Sequence, residues 1–326
     1  IMKEYEAKRE ILGIFRENAG DFISGERISG KLGFTRAGTW KYIKKLRDDG
    51  YAIEAVPNRG YRLMSSPDVL HGFDISGSVK TDVIGRGNIY HYESISSTND
   101  KAYELAEKGE AEGTVVIAEE QTHGKGRMGR KWVSPASGGV YMSVILRPKT
   151  GLADLSAITL AAGMAVVKAV RKTSGAEAGL KWPNDVFIGG KKICGILAEI
   201  KAQPDMVDFL VLGIGINVDT PPGELPEGAV SLNAESARKV SRMELVRVVL
   251  EETEKIYFKF REEGFGALRE ECRSFSLLMG KRVSVKETGR SIEGTAEDID
   301  EKGALIVRTD DGSLTRVLSG DVRFSQ

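Results

Sequence analysis

Between Gln121 and Trp132 the chain reads Gln-Thr-His-Gly-Lys-Gly-Arg-Met-Gly-Arg-Lys-Trp, with four cations, three glycines and no acid. A glycine-rich loop with exposed amides and fixed cations suits an anion, either phosphate or carboxylate. The stretch formally contains G-x-G-x-x-G. A dinucleotide-binding turn would open a helix here and place an acid about twenty residues on. Instead Trp132-Val-Ser-Pro135-Ala-Ser-Gly-Gly139 follows, and Lys149 stands where the acid belongs. That reading is rejected.

Further cations and polar groups lie in three other segments. Lys181 stands in Leu180-Lys-Trp-Pro-Asn-Asp185, an X-Pro turn leading into a strand; by itself this fits a site lysine and a solvated one equally. Lys191-Lys-Ile-Cys-Gly-Ile-Leu-Ala-Glu199 and Leu212-Gly-Ile-Gly-Ile-Asn217-Val218 are strand sequences punctuated by glycine, where a ligand can approach the backbone closely. Asn217 is the one side chain in the second that can make paired hydrogen bonds. Glu93-Ser-Ile-Ser-Ser-Thr-Asn-Asp100 is rich in hydroxyls and precedes a helix; it serves as an N-cap or as a cradle for a polar ligand. His71, His91 and His123 are spaced for neither a metal site nor a triad. Cys194 and Cys272 form no CxxC pair, so packing is their expected role.

These segments need a scaffold, and 326 residues suffice for two or three domains. Apolar residues make up 41% and charged residues 29%, which excludes disordered and fibrous classes. The least polar run, Ala157 to Val167, is too short for a membrane span, and IMKEYEAKRE has no signal-peptide core. With two unpaired cysteines, a reducing cytoplasm is expected. Net charge is zero, but residues 1–66 carry 13 basic against 9 acidic side chains. A basic head on a mildly acidic body therefore needs explaining.

In the head, Ile11, Leu12, Ile14 and Phe15 mark a first helix, Ser24 caps a second, and Thr35 caps a third over 36–49. On that third helix Trp40, Ile43, Lys44 and Leu46 are expected inside, and Arg36, Thr39, Lys41 and Lys45 outside. Two strands around Pro57-Asn-Arg59-Gly60 complete a winged helix–turn–helix. Ser65-Ser-Pro-Asp68 is a linker. Strands are expected over 88–92, 114–120, 140–146, 185–188, 192–199 and 209–218, with helices over 98–108, 153–173 and 242–263. After Met279 four short strands (282–285, 291–299, 304–309 and 314–318) suggest a small β-barrel. The domains thus run 1–66, 67–275 and 276–326.

Taken in order, Ser97-Thr98-Asn99, the loop 124–132, KWPND (181–185), the 191–199 strand and GIGIN (213–217) resemble the bifunctional biotin–[acetyl-CoA-carboxylase] protein ligase and biotin operon repressor family. The resemblance spans essentially the whole chain. It implies an α+β protein with a winged helix–turn–helix, a mixed-sheet α/β ligase core related to class II synthetases, and an SH3-like barrel. Its implied reaction uses biotin and Mg-ATP as substrates, with the metal carried by ATP and not by the protein. Biotin's carboxylate forms biotinyl-5′-AMP, and a lysine of a biotin carboxyl carrier protein then takes the biotin. On this resemblance Ser97, Thr98, Asn99, Gln121, Lys125, Gly126, Arg127 and Lys181 hold biotin, with Lys181 and Arg127 catalytic. Arg127, Arg130, Trp132 and Asn217 would serve the adenylate. Lys125 stands where the family's pattern often has Arg, which keeps the charge but loses the bidentate fork. Arg36, Thr39, Lys41, Lys45 and Arg59 would meet operator DNA, and biotinyl-AMP would favour a homodimer as corepressor. Competing readings are a lipoate–protein ligase, a ligase with a vestigial head, and a transcription factor that senses a ligand without catalysis.

Overall fold

A computed structural model describes residues 4–148, 155–202, 207–287 and 289–324. The head holds helices α1 (Glu4–Glu17), α2 (Gly25–Leu32) and α3 (Arg36–Asp48) and the hairpin β1 (Ala52–Val56)–β2 (Gly60–Ser65). Ser24 and Thr35 cap α2 and α3 as expected, each accepting a backbone N–H three residues on. Ile11, Leu12, Ile28, Ile43 and Leu46 form the centre of the head's apolar cluster.

One face of α3 is corrected. Thr39, Ile43 and Leu46, spaced i, i+4, i+7, are all buried, whereas Trp40 is 56% exposed and Lys44 lies outside with Lys41. Thr39 therefore has no surface to offer DNA. Lys45 is half-buried and paired with Glu4 of α1, so its charge is already engaged. Ile43 and Leu46 lie inside as expected, while Thr39 and not Trp40 completes the stripe, because position 39 is one turn before Ile43 on the same face.

After the linker comes α4 (Gly72–Ser78), a short helix not expected from sequence. Its two sides serve two cores: Phe73 joins the head's cluster and Ile75 the central one. Tyr51 Oη donates to Asp74 (2.6 Å), and Arg16 pairs with the same carboxylate.

The central core is a seven-stranded sheet in the order β3-β4-β5-β9-β8-β7-β6. These strands are β3 (Ile89–Ile95), β4 (Val115–Gln121), β5 (Gly139–Leu146), β6 (Ala178–Lys181), β7 (Asp185–Ile188), β8 (Lys191–Ala202) and β9 (Val207–Asn217). Only β3 and β4 run parallel, joined by α5 (Thr98–Glu107). α7 (Leu232–Glu235) follows β9, and on the sheet lie α6 (Leu155–Ser174), α8 (Arg242–Glu263) and α9 (Arg269–Phe275), with α6 and α8 packed together. The first residues of the helix expected over 153–173 lie outside the described residues. Every residue of β5 is buried, as the strand two places from an edge and covered on both faces must be. No helix among the described residues is long and apolar enough to cross a membrane.

Strands β10 (Arg282–Glu287), β11 (Arg290–Ile299), β12 (Leu305–Arg308), β13 (Leu314–Val317) and β14 (Asp321–Phe324) form the C-terminal antiparallel sheet, ordered β13-β12-β11-β10-β14. Sequence gave no sign of the last of these. The end strands β13 and β14 are not paired with each other among the described residues. Its apolar face joins the central core, and Trp182 Nε1 donates to Gly303 O at 2.9 Å.

A buried charge cluster ties the linker to the sheet. Arg242, 1% exposed, donates to Asp68 (3.1 Å) and to Glu119 (2.7 Å). Glu119 also accepts the Leu70 amide at 2.8 Å and lies 3.2 Å from His91 Nε2. Burial pushes the Glu119 carboxyl up, but His91, the Leu70 amide and Arg242 together outweigh it and hold it at about 2. The ordinary value is 4.5. A depressed carboxyl stabilises the fold fully above its unfolded pKa and loses that contribution as pH falls through the folded one. Comparing wild type with Glu119→Gln in urea should therefore show a stability gap of about 3 kcal/mol near neutrality. The gap should shrink as pH falls from about 4.5 towards 2. A gap independent of pH over that range would refute the assignment.

Candidate active site

β4 ends beside the N-terminus of α5, the middle of β9 passes next to it at Gly213, and the basic loop brings Trp132 over Gly215. The result is a solvent-open cleft with a cavity volume of ≈ 110 Å³. Ser97, Thr98, Asn99, Gln121, Lys125, Gly126, Arg127, Arg130 and Trp132 all line it, joining segments up to 35 residues apart in sequence.

Its floor is polar and locked. Ser97 caps α5, accepting the Asp100 amide, so the cap and cradle readings of this segment coexist. Gln121 Oε1 accepts from the Thr98 amide (2.8 Å) and hydroxyl (3.1 Å), while its Nε2 donates to Ser134 Oγ at 2.9 Å. Ser143 Oγ lies within hydrogen-bond distance of Thr98 Oγ1 (2.8 Å) and Asn99 Oδ1 (2.6 Å). Asn99 Nδ2 donates to Glu199 at 2.7 Å. Each amide orientation is set by its neighbours, which prepares the floor for a ligand with both donors and acceptors. Gly213 is required here: a Cβ would sit 2.1 Å from Asn99 Oδ1.

The wall is cationic. Arg127 is half-buried and donates to Asn184 Oδ1 at 2.9 Å; Asn184 in turn donates to Ile196 O. Burial lowers the Arg127 pKa, and Asp185 opposes that shift. Lys125 pairs with Asp100, a contact that raises its pKa. Arg130 reaches out to Asp321 on β14, linking the loop to the C-terminal sheet. Met128 sits in the left-handed region (φ 57), unusual for a methionine and consistent with a tightly folded loop. Trp132 lies flat on the sheet, where a Cβ at Gly215 would come within 2.6 Å of the ring. Its Nε1 is buried without a partner among the described residues.

Lys181 lies beside Asp185 and Lys192, both of which line the cleft. Its ammonium lies 5.0 Å from the centre of the Phe187 ring and 5.7 Å from that of Phe324. Burial lowers its pKa, with Asp185, Lys192 and Arg323 as its charged neighbours. Asn217 is buried at the end of β9, opposite Gly139, and does not line the cleft. A second lysine, Lys192, flanks the same Asp185. It lines the cleft, pairs with Asp185 at 2.7 Å and lies 5.5 Å from the centre of the Trp132 ring. In the sequence Lys192 stands out only as a lysine opening an otherwise apolar strand. Asn184, Asp185, Ser143 and Glu199 were likewise missed as site residues.

The Arg130–Asp321 pair has a measurable consequence. Asp321→Ala should speed tryptic cleavage at Arg127 or Arg130 of the ligand-free protein by up to about fivefold, the ceiling for an exposed pair worth about 1 kcal/mol. Unchanged cleavage would show that the C-terminal sheet does not restrain the loop.

The biotin/lipoate A/B protein ligase family matches residues 91–217, the biotin protein ligase C-terminal domain matches 278–325, and a helix–turn–helix domain matches 8–62. The bifunctional ligase/repressor BirA of Bacillus subtilis is 37% identical over 97% of this chain and 98% of its own. Its namesake in Escherichia coli is 30% identical over 93% of each chain. A biotin protein ligase from Aquifex aeolicus, solved in complex with biotin and ATP, superimposes with a TM-score of 0.65 at 32% identity. That match covers 73% of this chain and 100% of the other. With such identity along nearly its full length, this chain belongs to the biotin protein ligase family, among the members that carry an N-terminal helix–turn–helix.

Proposed function

We propose that this protein is an ATP-dependent biotin–protein ligase that also acts as a biotin-responsive transcriptional repressor. The observation that carries the ligase half is the meeting, in one cleft, of the locked floor Ser97–Asn99/Gln121 with the cations Lys125, Arg127 and Lys192. Hydroxyls and amides on the floor suit biotin's ureido ring. The acid chain then points towards the cations.

A carboxylate oxygen attacks the α-phosphorus of Mg-ATP, the bond to the bridging oxygen breaks, and pyrophosphate leaves. Two anions repel as they meet, and fixed cations lower that cost in the transition state. Arg127 and Lys192 are the residues for this junction. Lys181, with Arg323 beside it, is better suited to the outgoing phosphates. Trp132 offers its ring and free indole N–H to the adenine side. In the second step a carrier lysine's amine attacks the anhydride carbonyl, loses a proton and releases AMP.

Transfer of labelled biotin to a biotin carboxyl carrier domain, dependent on ATP, tests the reading; lipoate in place of biotin is the control. No transfer with biotin, or equal transfer of lipoate, would overturn it.

The repressor half is supported by the helix–turn–helix match and by Arg36, Lys41 and Arg59, all exposed on the head's basic surface. A single head makes few phosphate contacts, so a homodimer formed with biotinyl-AMP would supply the second half-site. The place of work is then the cytoplasm, where DNA and ATP are found. Operator binding should rise with biotin and ATP together and fall with salt. Binding indifferent to both would leave a ligase with a vestigial head.

A further inference from the structure

Helix α3 has one large apolar side chain with no place in the core. Its inner face is complete with Thr39, Ile43 and Leu46, all buried. Trp40 points the other way and is 56% exposed. Arg36 and Lys44 stand one turn before and after it, Lys41 is next to it, and no acid occurs between Arg36 and Lys44. Arg36 is exposed and makes only a loose ion pair with Glu26 at 3.7 Å, both side chains lying in solvent. On the wing, Arg59 is held over the Phe22 ring at 4.2 Å. The surface is therefore a cationic rim around a single exposed indole.

We propose that Trp40 is a specificity-determining residue that reads thymine in the major groove through its C5-methyl group, between phosphates engaged by Arg36, Lys41 and Lys44. The inference rests on the repressor reading above. Cations with no acid among them fit the phosphate backbone. They do not explain an indole, which gains nothing from a phosphate. In the major groove the apolar group at the base edges is the thymine methyl, and side chains near the start of a recognition helix reach those edges. Trp40 is the fifth residue of α3, within that reach. Burying a methyl against the ring is worth about fourfold in affinity per half-site.

The test uses the full chain with biotin and ATP. A random 30-base-pair duplex library is selected for binding, and each thymine of the enriched site is then replaced by deoxyuridine, which removes only the methyl. Wild type should lose about fourfold at one thymine of each half-site. Trp40→Ala should bind the thymine site that much more weakly and become indifferent to the same replacement. Trp40→Phe, which keeps a ring, should retain part of the penalty. Urea unfolding curves and salt-dependent binding to non-specific duplex that match wild type report that the head of both variants is folded, and biotin transfer reports the same of the core. Equal deoxyuridine penalties for wild type and Trp40→Ala would overturn the inference and leave the repressor reading intact. Failure of wild type to enrich any sequence would overturn both.

Discussion

Lys192→Ala should lose biotinyl-AMP synthesis by about 10²–10³ in rate while folding normally. The ammonium sits in the cleft beside Asp185 and the Trp132 ring, on the same wall as Arg127. Its removal takes one fixed charge from the point where a carboxylate meets a phosphate. Lys192→Arg should recover part of the rate, because charge survives while the compact ammonium geometry does not. Lys181→Ala is the informative contrast. With its ammonium against Phe187 and Phe324 and its charge shared with Arg323, it should raise the KM for ATP more than it lowers the rate of the biotin-saturated step. Pyrophosphate release under both substrate regimes separates the two. If Lys181→Ala instead matched the full rate loss and Lys192→Ala did not, the junction would belong to Lys181.

Arg242→Ala should cost about 3–5 kcal/mol of stability, the range for removing one partner of a buried ion pair. The guanidinium is 1% exposed and engages Glu119, Asp68 and Gly139 O at once. Without it Glu119 remains as an uncompensated charge whose side chain is only 10% exposed. The double variant Arg242→Met with Glu119→Gln should regain a substantial share, since it removes both charges and keeps the volume. Urea unfolding followed by circular dichroism measures both. A loss below about 1 kcal/mol, typical of an exposed pair, would show that the cluster does not anchor the linker.

The contrast between Lys181 and Lys192 shows where reading residues in order stops. KWPND drew attention because a lysine beside Trp and Pro is conspicuous; the KKICG run did not, because alternation made it a strand. The β7–β8 pairing carries a register shift between Val186 and Phe187. That is where Lys192 comes opposite Phe187, and no periodicity in the sequence reveals it. Short elements escaped for a simpler reason: α4 with seven residues and β14 with four are too brief to display a period. Long elements such as α8 showed theirs, and both of its ends were legible.

By itself, the sequence determined what depends on neighbours along the chain: the capped helices and wing of the head, the long helices α6 and α8, the glycine-rich cationic loop, and the hydroxyl-rich cap of α5. Tertiary structure alone decided what depends on registration between distant segments. It brought Lys192 and Lys181 together around Asp185. It buried Thr39 and exposed Trp40, because the apolar stripe of α3 is fixed by what packs against it. It joined Asp68, Glu119 and Arg242, up to 174 residues apart, into one cluster. The physical reason is the same in each case: hydrogen-bonded caps and turns are local in sequence, whereas burial and ion pairing are settled only once the faces of separate elements meet.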